Sequence, residues 1–368
     1  MASLPKEVLA LAEDSSTPDL GLVPSAEHGL DKRDKLAVDH EDRGDIEIPM
    51  FLVPHLNVCS RYQLILKDLP RHHSRRVYMS MSKRMDGLII SIKKEVRLKL
   101  SSMMRKFDNE RDFQHHLCKI ALYGRLHLAP LEEDNIKHVL DIGTGTGIWA
   151  IEFAEQYPQA KVIGTDLSPI QPEFVPPNLS FEVDDVDDDW VYTHPFEYIH
   201  GRLMVFAFSD PLAVFRKAFN ALSPGGYFEM QDLCSPIRSF DDSLNGSAMF
   251  RCSNMIIQAC QKRGIDLTVP KRYKEMMQSV GFVDVKEVII EWPVGTWAKS
   301  EYHKRIGAWF KKDMEIGAEG IIMGLFTRLL GMTKEQVAVI VEDVKREMND
   351  KSIHAYEPFY VVYGRKPE

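Results

Sequence analysis

The sequence predicts an α/β fold built on a parallel sheet, and three observations carry that expectation. After Pro130 short apolar strands alternate with helices, and the first strand passes into its helix through a turn containing Gly143, Gly145 and Gly147. Two further apolar strands follow, separated by a long helical insert. Such alternation demands right-handed crossovers with helices on both faces of the sheet, and it puts ligands beyond the carboxyl ends of the strands.

Taken in order, residues 1–47 are polar, acidic and free of Phe, Tyr and Trp, which predicts a disordered tail. Residues 48–130 form an expected N-terminal helical extension. Within it, Arg71 to Phe107 holds eleven Lys or Arg against two acids. Ile92, Val96, Leu100, Met103 and Phe107 recur there at helical spacing and leave the lysines outside. That run reads as a solvated helical face, or as a nuclear-import or partner-docking patch. A second helix begins near Asn109, with Phe113, Leu117, Ile120 and Ala121 on one face.

The domain proper is expected over 131–368. Strands are predicted at His138 to Ile142, Lys161 to Thr165, Leu179 to Val183, Glu197 to His200 and Tyr227 to Gln231. Helices are predicted at Ile148 to Gln156, Pro211 to Leu222 and Ser247 to Arg263. Late strands fall at Val283 to Glu291 and Phe359 to Tyr363, and the intervening stretch is too long for a simple connection, so a helical cap is expected over about 296–350. Inside it GIIMGLFTRLL is apolar almost all round, which suits burial, a subunit contact or a lid wall.

Composition narrows the function. The first twenty residues are interrupted by Lys6, Glu7, Glu13 and Asp14, and no window reaches the roughly 18 apolar residues of a membrane helix, so a cytoplasmic protein is expected, with the nucleus open to it. A net charge of -8 argues against direct nucleic-acid binding. The five cysteines form no CxxC pair and read as reduced, buried thiols, with no metal site.

The glycine turn identifies a ligand. A dinucleotide fingerprint is GxGxxG, but here the spacing is GxGxG and Ile148 stands where the third glycine belongs. No Gly-Lys-Ser/Thr follows to make a phosphate loop. Asp141, one residue from the turn, can orient it and meet an ammonium group. Asp166, at the end of VIGTD, can accept from both hydroxyls of a ribose. Asp185 after the third strand can accept from an exocyclic adenine amine while Val186 covers the ring edge. Together these describe an adenosine joined to an amino acid, S-adenosyl-L-methionine.

With those motifs the sequence resembles the LaeA-type fungal methyltransferases, class I S-adenosylmethionine-dependent enzymes and regulators. The resemblance runs from roughly Asn109 to Glu368 through QHHLCKIALYGRLHLAP, HVLDIGTGTGIWAIEFAEQYPQAKVIGTDLSPIQPEFVPPNLSFEVDD, FEYIHGRLM, LSPGGYFEMQD and HAYEPFYVVYGRKP. It implies a Rossmann-like sheet of seven strands whose last two form a reversed hairpin. It also implies that Gln114 and His115 border the cofactor pocket, alongside Asp141, Gly143, Thr144, Gly145, Gly147, Asp166, Leu167, Asp185 and Val186.

Methyl transfer from a sulfonium is an in-line displacement that needs alignment and exclusion of water, with a general base only for a protonated acceptor. Candidates for such a role are His116, His200, Arg202 and Asp232, which the predicted elements bring near the strand ends. Two readings follow: a methyltransferase acting on O, N or S of a small-molecule secondary metabolite, or a LaeA-like nuclear regulator working with a protein partner.

Overall fold

The computed structural model describes Leu36 and residues 113–368. The expected tail, the basic run and the greater part of the helical extension fall outside the described residues. What is described begins with helix α1 (Phe113–Ala121), whose buried Phe113, Leu117, Cys118 and Ala121 follow helical spacing.

The sheet comprises β1 (His138–Ile142), β2 (Lys161–Asp166), β3 (Leu179–Val183), β4 (Phe196–Arg202), β5 (Leu222–Leu233), β6 (Arg238–Ser239), β7 (Val283–Pro293) and β8 (Ala355–Arg365). Its order is β3-β2-β1-β4-β5-β8, with β7 on the far side of β8 and the two-residue β6 pairing the start of β8. Strands β1 to β5 run parallel, while β8 runs antiparallel to both β5 and β7. The expected reversed hairpin is therefore present, and β6 makes an eighth strand that the seven-stranded expectation lacked. A two-residue strand leaves no periodic pattern to read.

Helices α2 (Ile148–Gln156), α3 (Pro211–Ala221), α4 (Ala248–Gln261) and α5 (Tyr273–Val280) join these strands. Local chemistry sets their ends. Asp210 accepts the Ala213 N–H at 3.1 Å with Pro211 in the first turn of α3, Ser247 caps α4 through Phe250 N at 3.0 Å, and Gly281 closes α5 at φ 116.

One core fills the α2 side of the sheet, where Trp149, Phe153 and Ala150 pack on Val139, Val162 and Tyr198. On the other face Phe215 of α3 meets Phe228 of β5 edge-on at 5.1 Å, beside Tyr273. The expected cap is two helices, α6 (Glu301–Leu329) and α7 (Lys334–Glu347), the latter started by a Thr333–Gln336 capping box. Helix α6 packs on α1, α4 and β7, and α7 packs on α4. No helix among the described residues is long and apolar enough to cross a membrane.

Candidate active site

Three strand ends converge on the glycine turn. Gly143, Gly145 and Gly147 all have positive φ, at 64, 60 and 84°. A side chain at Gly143 would run into the Met204 sulfur, and one at Gly147 into the Phe181 ring, so close packing as well as backbone conformation requires glycine there.

Below the turn, buried Asp141 holds two partners. Thr144 Oγ1 donates to Oδ2 at 2.6 Å, and His200 Nδ1 lies 2.7 Å from Oδ1. His200 is fully buried, stacks on Trp149 at 3.8 Å, and has its protonation disfavoured by burial despite the nearby carboxylate. The sequence raised it as a general-base candidate, and the structure places it inside the sheet as a brace for Asp141.

Asp166 reaches the turn directly. Its Oδ2 accepts from Gly145 N at 3.0 Å and its Oδ1 from Ser168 N at 2.9 Å. Gln171, which the sequence reading passed over, donates to the Gly145 carbonyl at 2.7 Å. The backbone amide of Asp184 donates to Asp166 O at 3.2 Å, bringing the β3 exit alongside. There Asp185 accepts from Asp187 N at 3.0 Å, and the Val186 carbonyl accepts from Lys217 and Trp190 at 3.2 Å. Leu167, Asp185 and Val186 are half-buried, following the carboxyl ends of β2 and β3.

The remaining candidates separate. Arg202 NH2 lies 3.1 Å from His115 Nδ1, and His115 Nε2 lies 3.1 Å from Glu152, so His115 joins α1 to α2 and β4. Gln114 donates to Asp313 of α6 at 3.2 Å. His116 points elsewhere, meeting the Trp309 ring at a tilt with centroids 4.4 Å apart and lining a surface cleft with Lys119, Tyr123 and Arg305. Asp232 is fully buried, accepting from Val205 N at 3.1 Å and the Tyr273 hydroxyl at 2.8 Å, and burial pushes its carboxyl up to about 7.

Beyond β4 and β5 lies a cavity of about 210 Å³, walled by Leu203, Val205, Ile237, Met249 and Leu267 and roofed by Phe310, Met314, Ile321 and Ile322 of α6. Gln114, Ser235, Asp313 and Glu357 are its more polar members. Leu203 has φ 55, rare for a branched side chain. Of the apolar stretch of α6, Ile321 and Ile322 line the cavity, while Leu325 and Phe326 are buried. Neither Glu357 nor Ser235 was singled out in the sequence, because a lone carboxylate inside a strand carries no spacing signal.

A family described as a methyltransferase domain matches residues 113–287. Fold and family match define a class I S-adenosylmethionine-dependent methyltransferase, with S-adenosylmethionine as the methyl donor. Methyltransferase pytC of Aspergillus terreus is 38% identical over 258 residues, covering 70% of this chain and 79% of its own. Probable methyltransferase tdiE of Emericella nidulans is 33% identical over 267 residues, covering 72% and 83%. The secondary metabolism regulator LAE1 of Cochliobolus heterostrophus is 32% identical over 264 residues, covering 70% and 86%. The chain belongs to this family of LaeA-like methyltransferases, whose matched members are fungal.

Proposed function

We propose that the protein transfers the methyl group of S-adenosylmethionine to an oxygen, nitrogen or sulfur of a small-molecule secondary metabolite held in the cavity under α6. One observation carries this reading. Met204 abuts Gly143 of the turn, and its neighbours Leu203 and Val205 line the cavity, so the acceptor chamber starts one residue from the donor turn. Enclosed, mostly apolar chambers with a few polar groups suit small molecules.

In this reading the donor lies along Gly143–Gly147 and supplies an electrophilic methyl group. Asp166 receives the ribose hydroxyls; a carboxylate offers about four acceptor sites, and its two amide hydrogen bonds fix its orientation. Asp185 and Val186 take the adenine. Asp141 keeps the turn in register through Thr144. Gln114 and His115, on α1, close the side between donor and cap. The protein's part is then alignment and exclusion of water by the α6 roof. Among the base candidates, His200 and Asp232 act through what they brace, and His116 lies off the cavity.

Incubating the purified protein with labelled donor and an extract from a strain lacking the gene tests the reading. A labelled small molecule is expected. Donor binding without transfer to any metabolite would overturn it.

The matched LAE1 regulator supports a second reading, that the fold serves a nuclear complex controlling secondary-metabolite genes. An unchanged transcript profile on deletion, or exclusion of the tagged protein from nuclei, would remove it.

A further inference from the structure

The cavity under α6 has an asymmetry of charge. Its lining includes two carboxylates, Asp313 and Glu357, and no Lys, Arg or His. Asp313 is already engaged by Gln114 at 3.2 Å. Glu357 differs: among the described residues its hydrogen bond is from Ser235 Oγ to Oε1, at 2.7 Å. Arg238 acts on it only through its charge. Burial raises the affinity of Glu357 for a proton, opposed by the Ser235 hydroxyl and then by the charge of Arg238. A half-buried carboxylate with one neutral donor is a group that gains from a further donor brought by an occupant.

Position adds to this. Glu357 sits near the start of β8, and Ser235 lies two residues past the end of β5, so the pair stands at the carboxyl end of β5, as Leu203 does at that of β4. The rest of the wall is aliphatic, aromatic or sulfur-bearing apart from Ser253, Gln114 and Asp313.

We infer that Glu357, steadied by Ser235, is the polar anchor of the acceptor cavity and selects an apolar acceptor carrying an N–H or ammonium donor over an anionic one. The inference rests on the small-molecule reading of the cavity. Glu357 here is a specificity residue; it holds the acceptor and is given no proton-transfer step.

Binding of tryptamine, tryptophol and indole-3-propionate, matched in their apolar part, tests it by calorimetry on the full chain with S-adenosylhomocysteine present. Tryptamine should bind about tenfold or more tightly than indole-3-propionate, the span of one charge-assisted hydrogen bond. In Glu357→Gln the ratio should fall to within about threefold, while S-adenosylhomocysteine binds as before, since one charge-assisted bond has become neutral. Asp313→Asn should keep the preference.

A ratio unchanged in Glu357→Gln, a preference lost only in Asp313→Asn, or failure of all three probes to bind would overturn the inference. Should Glu357→Gln lose S-adenosylhomocysteine binding too, Glu357→Asp decides: a smaller preference of the same sign supports the anchor, and the wild-type ratio rejects it. Methyl transfer is not read here. An enzyme that discriminates among the probes but methylates no metabolite would lose the proposed function and keep the anchor.

Discussion

Asp232 illustrates how far one buried carboxylate governs behaviour. Its folded proton affinity, raised to about 7 by burial, exceeds the roughly 3.9 of an unfolded aspartate. The folded state therefore binds more protons between those values, and the stability gained is complete below the lower one and lost as pH rises through the upper. Asp232→Asn should flatten the fall in melting temperature between about pH 4 and pH 7, part of the slope persisting through Glu229, which burial also raises to about 7. A variant with the wild-type slope would contradict this. At the turn, Gly147→Ala should destabilise by at least about 1–2 kcal/mol from left-handed backbone alone. The collision with Phe181 adds to that and should weaken donor binding. Melting curves and calorimetry check both effects.

At the scale of elements, α1 is held by polar ties as well as by its apolar face. His115 and Lys119 both reach Glu152 of α2, at 3.1 and 2.7 Å, and Tyr302 of α6 donates to the Ala121 carbonyl at 2.7 Å. The His115 hydrogen bond, with Lys119 second, holds the Glu152 carboxyl down at about 2. For an acid lowered in this way, the contribution is present above the unfolded value of about 4.3 and fades as pH falls toward the folded one. Amide protection in α1 should drop over that range, and Glu152→Gln should show the low protection already at neutral pH. Equal protection in wild type and variant would show that packing alone docks the helix.

Much at this scale was legible beforehand. β1, β3 and α2 fall where the apolar pattern put them, because each has a full period and a sharp break at its ends. β5 is longer than expected: the sequence predicts a strand only from Tyr227, yet Leu222 pairs with Phe196 across an irregularity in the β4 register. α5 escaped notice because eight residues with only Tyr273 and Met277 buried make a faint stripe. The carboxylates proposed for the donor site stood out because they lie within about 45 residues of one another in fixed order. Glu357 and Ser235, 122 apart, meet only through the sheet.

For the whole molecule, the glycine turn and the cavity meet just past β4, where Met204 abuts Gly143 and Leu203 and Val205 line the cavity, so a ligand at either should be felt by the entire fold. S-adenosylhomocysteine at about 100 times its Kd should stabilise by about 2.7 kcal/mol if it binds only the native state. In a domain of this size that is a rise of roughly 5–10 °C in one transition. Two separated transitions, with only one shifted, would show that cap and sheet melt independently. The four described cysteines, 118, 234, 252 and 260, are buried thiols, and burial pushes those of Cys252 and Cys260 up to about 12. They should stay inert to alkylating reagents until the protein unfolds.

The place of β8 bears on how the protein is made. Gln231 of β5 finds its partner in Val361, about 130 residues later in the chain. During synthesis the parallel half can assemble as it emerges, but its β5 margin stays bare until the final strand arrives, and β7 waits with it. A bare, apolar sheet margin invites pairing with other chains. The late arrival of one strand should therefore leave a window in which the nascent polypeptide exposes a pairing edge, and substitutions in residues 355–365 should lower the yield of folded protein.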